Sequence, residues 1–204
     1  MANTNAPFGL RPVRHKDGRA YNGSANFYFA TGATGVIAPG DPVINNGASN
    51  TTEINGFQAG SLPGCQIALD GAGDPITGVC ISVLPVTRDS LTYRETSTDR
   101  VVLVADDPGL ICEVQENAGG TAFASTDVGQ LVNLAAGSAS TVTGRSAWVL
   151  DSGTAPNTTA TFQCYLNRLA PLPNNAIGAY AIWEVTINNH QLGNVTDAGN
   201  VTPV

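Results

Sequence analysis

Two histidines, four cysteines and sixteen acidic residues are the groups in this 204-residue chain that could do catalytic or metal-binding chemistry. Their spacing organises none of the familiar reactions. Cys65, Cys80, Cys112 and Cys164 form no CxxC pair and stand far from both histidines in sequence, so a zinc site of the usual spacing is not expected. Each cysteine sits in an apolar or strand-like run such as GVCISV or GLICEV, which reads as a buried reduced thiol acting as a small hydrophobe. Disulfides stay open, because an even count forbids nothing. His15 lies in a proline-punctuated opening segment, and a general base needs a fixed geometry. His190, after Asn188-Asn189 at a strand end, reads as a structural histidine. Asp106-Asp107, Asp70 and Asp74 lack the DxDxDG spacing of a calcium loop. No GxSxG, HExxH, Walker-type loop or GxGxxG occurs. Neither a metal, a cofactor nor an enzymatic centre is expected. A pair of glycosidase carboxylates needs only two acids in one cleft, and no pair stands out.

The grouping that does stand out is cationic. Residues 1–19 hold Arg11, Arg14, Lys16 and Arg19 against Asp17 alone. The rest of the chain has five arginines against fifteen acids, and the whole carries −7. Pro7, Gly9 and Pro12 break any helix there, and Phe8, Leu10 and Val13 alternate with polar or small residues, as in an extended strand. Such an arm could address DNA, lipid or protein. No stacking aromatics accompany it for nucleic acid, and no run reaches the ~18 apolar residues of a membrane span. Protein is the expected partner: the backbone would add to a neighbour's sheet edge, Phe8 and Leu10 would fill pockets, and Arg11, Arg14, His15 and Arg19 would supply polar contacts. The expected organisation is an extended N-terminal arm (1–20), a β-body (21–190) and a C-terminal tail (191–204).

The elements that would position these groups are strands. Only 12% of residues are charged, about half the ordinary globular fraction of roughly 25%. Twenty-three glycines and twelve prolines punctuate short Val/Ile/Thr runs. Strands are expected at 25–31, at 35–45 around a Pro-Gly-Asp-Pro turn, and at 76–86, 98–107, 109–117, 146–151, 159–169 and 176–190. VVLVA reads as buried on both faces and CEVQE as half exposed. Asp106-Asp107-Pro108-Gly109 reads as a turn, residues 46–65 as a long loop or hairpin tip, and 125–134 as a short helical turn capped by Ser125 or Thr126. The expected fold class is all-β, a β-barrel or jelly-roll-like sandwich with at most one or two short helices. MANTNAPFGL has no apolar h-region, so synthesis in a cytosol is expected. The sequons at Asn22, Asn50, Asn157, Asn194 and Asn200 then read as a by-product of composition.

Several pieces in order, Ala6-Pro7-Phe8-Gly9-Leu10-Arg11-Pro12-Val13-Arg14-His15, Gly40-Asp41-Pro42-Val43, Ser97-Thr98-Asp99-Arg100-Val101, Ile177-Gly178-Ala179-Tyr180-Ala181 and Ile187-Asn188-Asn189-His190, resemble the capsid cement or decoration proteins of tailed bacteriophages. The resemblance implies a non-enzymatic virion protein on the outside of the head. It would bind the major capsid protein where capsomers meet and act as a homo-oligomer, a dimer before a trimer. Residues 1–19 would be the arm that ties subunits together, so removing them is expected to leave a folded body. The alternative is a carbohydrate-binding or adhesive β-domain of a virion or cell surface.

Overall fold

The computed structural model describes residues 3–31 and 35–193. Its strands are β1 (Arg11–His15), β2 (Asn26–Ala30), β3 (Pro42–Ser49), β4 (Pro63–Ile67), β5 (Gly78–Val83), β6 (Arg100–Ala105), β7 (Leu110–Gln115), β8 (Leu131–Val132), β9 (Leu134–Ala135), β10 (Val149–Leu150), β11 (Cys164–Leu169) and β12 (Ile182–Ile187). The only helical element among the described residues is a 3₁₀ turn at Ser125–Asp127. The chain is therefore all-β. The turn at 125–127 is shorter than the expected 125–134, and its cap differs: Ala124 N–H donates to the Asp127 carboxylate at 2.8 Å. Residues 131–132 have joined a sheet instead.

β2, β4, β3, β5 and β6 close a barrel in that order, and β1, β7, β12, β11 and β8 form an antiparallel sheet. β9 and β10 form a separate two-stranded ribbon whose Leu134 and Leu150 pack into the main core. The two main sheets are joined directly by the tight turn between β6 and β7. There the Leu110 N–H donates to the Asp107 carbonyl at 3.1 Å, with Pro108 preset for the second position. Val101, Val102 and Val104 of β6 are fully buried, because this strand has the barrel interior on one side and packed elements on the other.

The inner face of the sheet packs on the outside of the barrel. Leu110, Cys112, Val114, Cys164, Leu166, Trp183, Val185 and Ile187 meet Ala68, Ile76, Val79 and Ala105 in the largest apolar cluster. All four cysteines are free and buried. Burial pushes the Cys65 and Cys164 thiols up to about 12, so neither offers a thiolate. Residues 46–65, expected to be a long loop or hairpin tip, hold the end of the β3–β4 hairpin: β3 runs on to Ser49 and β4 begins at Pro63.

Glu116 lies fully buried beside this core, accepting from Trp183 Nε1 at 2.8 Å and from the Phe123 N–H at 3.3 Å. Burial raises its carboxyl to about 7, and the two hydrogen bonds only partly offset that. A carboxyl whose folded value lies above its ordinary 4.5 stabilises the fold most below that value and loses the contribution as pH rises through 7. Buried His190, lowered to about 4 chiefly by burial, acts oppositely as pH falls below 6.5. The comparison with Glu116→Gln isolates the carboxyl. Melting between about pH 5 and about pH 8 should fall more in the native protein than in the variant, and equal slopes would refute the assignment.

A row of arginines on the outer sheet face

The residues expected to form an arm are part of the body's own sheet. β1 pairs antiparallel with β7 (Arg11 opposite Glu113, His15 opposite Leu110) and forms its edge. The expectation of a free extension is corrected, and the cause lies in three features that are distant in sequence and meet at the arm. The first is the Pro-Gly-Asp-Pro turn. The Asp41 N–H donates to the Ala38 carbonyl at 3.0 Å, with Pro39 second and Gly40 third at φ +97°, a type II turn. Asp41 returns a carboxylate oxygen to the Ala38 N–H at 2.8 Å.

Against that turn lies Gly9, at φ +73°, where an added methyl would overlap the Gly40 carbonyl and the Ser146 side chain. The close approach lets the Leu10 N–H donate to the Gly40 carbonyl at 2.8 Å and drops Leu10 into the main core, 1% exposed. The third contact is Gln115, which accepts from the Ala6 N–H at 3.0 Å and donates to the Thr4 carbonyl at 2.8 Å. Asn3 extends the docking by donating to the carbonyls of Ala176 and Ala179.

The arm's basic residues thereby take fixed places. Register puts Arg11, Glu113, Glu184 and Arg168 side by side across β1, β7, β12 and β11, on the face turned away from the core. Arg11 Nε donates to Glu113 at 3.1 Å and its Nη2 reaches the same oxygen, while the guanidinium lies over the Phe8 ring at 4.9 Å. Arg168 grips Glu184 with two bonds, Nε to Oε2 at 2.9 Å and Nη2 to Oε1 at 2.8 Å. An irregularity between Pro12 and Arg14 turns Arg14 onto the same face, where Nη2 meets Glu184 Oε2 at 2.5 Å.

The Glu184 carboxyl pays a desolvation cost that the Arg168 and Arg14 bonds outweigh, and it is held below its ordinary value. Its contribution to stability is present above pH 4.5 and is lost as pH falls through the lowered value. The glutamates are sunk (side chains 8% and 4% exposed), whereas Arg11 and Arg168 stay 55% and 51% exposed. A buried acidic floor thus carries an accessible layer of guanidinium groups.

Of the residues expected to meet a partner, Arg11 and Arg14 share this row and Phe8 supports it. Leu10 does not: it is this chain's own core. His15 is also turned in, with Nδ1 2.9 Å from Asp107 at the β6–β7 turn. Arg19 stands apart in an exposed loop, held by Asp17, with Nε to Oδ2 at 2.6 Å. The sequence reading missed Glu113, Glu184 and Arg168. The alternation of CEVQE and IWEVTI contained the signal, since each places one glutamate on a polar face. CEVQE proves buried on both faces because β1 and its arginines cover the side expected to meet water.

No group of three or more His, Cys, Asp or Glu residues among those described is placed to hold a metal ion, and no described helix is long and apolar enough to cross a membrane. Comparison with known proteins finds no matching family model, no matching curated protein and no matching solved structure. The tail expected at 191–204 falls outside the described residues from 194 onward.

Proposed function

We propose that this chain is a structural protein of a tailed-phage head, a cement subunit that docks on the major capsid protein where capsomers meet. The observation that carries the reading is the arginine row of the outer sheet face. Each guanidinium has five donors in a planar fork, and the glutamates beneath occupy only some of them. The remaining donors of Arg11 and Arg168 sit on half-exposed side chains and are open to carboxylates of a partner. Their side chains are already ordered, so docking loses less entropy than it would with mobile lysines. The five sequence pieces that carry the resemblance, in the same order along the chain, support the same role. A protein with few other surface charges has little to desolvate when buried between neighbours. Acting as a homo-oligomer, a dimer in the simplest arrangement, the subunit would engage two capsomers at once, and the second contact would gain from high effective concentration.

Arginine-to-lysine substitution separates docking from folding, because lysine keeps the charge over Glu113 or Glu184 and loses the fork. The double variant Arg11→Lys, Arg168→Lys should melt near the native temperature yet co-sediment with expanded heads roughly a hundredfold more weakly, about tenfold per arginine. Unchanged co-sedimentation would remove this face from the interface.

A further inference from the structure

The barrel closes through a short seam between β2 and β4. β2 pairs with β6 along its whole length, from Asn26 to Ala30, but its parallel ladder to β4 covers only Phe29 and Ala30. The first half of β2 therefore diverges from the start of β4, where Pro63 has no N–H to offer. A cavity of about 400 Å³ lies in the gap, lined by Phe27, Tyr28, Phe57, Asn26, Ser61 and Asp106 among others.

Its apolar wall is built and held. Phe27 points outward, 41% exposed, and Phe57 packs against it with ring centroids 5.1 Å apart and planes at 49°. Phe57 is placed by a two-residue hairpin turn. Ile54 and Phe57 exchange backbone hydrogen bonds at 3.1 and 2.8 Å around Asn55 and Gly56, whose φ of 50° and 82° are those of an Asn-Gly type I′ turn. Phe29, Leu62 and Val101 beneath it, with Ile54 and Leu84, anchor this loop on the barrel.

The polar wall is equally fixed. Asn26 Nδ2 donates to both oxygens of Asp106 at 2.9 and 3.0 Å, and the Tyr28 hydroxyl donates to Oδ2 at 2.8 Å. Burial, with the Asp106 bond, raises the tyrosine well above its ordinary value, so that proton stays in place. The carboxylate has about four lone-pair sites and three are taken. The Asn26 carboxamide oxygen lies beside it as a second acceptor.

We propose that this seam binds a saccharide, with the C–H face of one sugar ring on Phe27 and neighbouring hydroxyls donating to Asp106 and Asn26. The diverging stretch of β2 is three residues, or about 10 Å, the length of one or two sugar rings and too short for an added strand to build a ladder. Fixed acceptors call for a ligand that donates, and an aromatic wall calls for one with an apolar face; a sugar has both.

Saturation-transfer NMR on the full chain tests this with glucose, galactose, mannose, N-acetylglucosamine and their short oligomers, and with an arginine-rich peptide as the competing ligand class. Transfer to the C–H protons of at least one sugar is expected. Phe27→Ala should abolish it and Asn26→Ala should weaken binding about tenfold, while both variants melt as the native protein does. No transfer to any sugar, transfer unchanged in Phe27→Ala, or occupancy by the peptide alone would overturn the proposal. Because the seam belongs to the barrel and the arginine row to the sheet, neither result bears on docking to a capsid.

Discussion

Removal of residues 1–19 should cost the protein most of its stability. The sequence alone led to the opposite expectation, a folded body lacking only its tether. In the structure Arg11–His15 are the edge strand of a five-stranded sheet. Their loss exposes the cavity left by Leu10, worth about 2–3 kcal/mol in lost burial. It also strips Arg11 from Glu113 and Arg14 from Glu184, both sunk carboxylates. Because the same deletion opens both carboxylates to water, each lost pair costs only about 1 kcal/mol. The β1–β7 backbone ladder adds about 1 kcal/mol per hydrogen bond, and together these losses are a large fraction of a domain's stability of about 5–15 kcal/mol. The uncovered β7 edge would further invite aggregation. Chemical denaturation should show a truncated protein with no cooperative transition, or with a midpoint far below that of the full chain. Unfolding within about 1 kcal/mol of the full chain would show that β1 is dispensable.

Gly9→Ala should be the most damaging single substitution in the arm. Two penalties coincide at this position. The left-handed backbone, at φ +73°, costs a non-glycine residue about 1–2 kcal/mol. The methyl then collides with the Gly40 carbonyl and Ser146, neither of which is the far end of a flexible chain. The Leu10–Gly40 hydrogen bond must break or the turn must move, and a total loss above about 3 kcal/mol is expected. Gly18→Ala supplies the control: its φ is +90° and nothing lies within 4 Å of the added methyl. That variant should lose only the backbone part, about 1–2 kcal/mol. Equal losses in the two variants, measured by urea denaturation, would show that the Gly9–Gly40 contact does not hold the arm.

The fold class was legible in the sequence because its signals are local. Val101 to Ala105 reads as a doubly covered strand from its unbroken apolar run. Pro39-Gly40 and Asp107-Pro108 announce their turns through fixed proline φ and glycine freedom. The destination of the arm was not legible, since every contact that holds it joins residues far apart in the chain. Gln115 looks like a solvent-facing strand residue until Thr4 and Ala6 bind it. Glu113 and Glu184 look like surface acids until register sets them opposite each other beneath three guanidinium groups. The charge asymmetry at the N-terminus was a real feature. It marks the half of an ion-pair row whose other half is written 102 to 170 residues later.

That row also takes up three of the protein's nine basic residues. Of the nine basic residues, Arg94 and Arg100 are buried. Arg94 is spent on backbone carbonyls such as that of Thr31 at 2.8 Å, and Arg100 donates to Ser90 Oγ at 3.1 Å. The accessible cations include the sheet-face arginines Arg11 and Arg168, which Glu113 and Glu184 hold in place.

Cryo-electron microscopy of the tailed-phage head proposed to carry this subunit tests the proposal most directly. If the proposal holds, density for the barrel and sheet lies over the boundaries between capsomers, with Arg11 and Arg168 of the outer sheet face against carboxylates of the major capsid protein. A head whose capsomer boundaries are bare, or a subunit bound with this face turned to solvent, would contradict it.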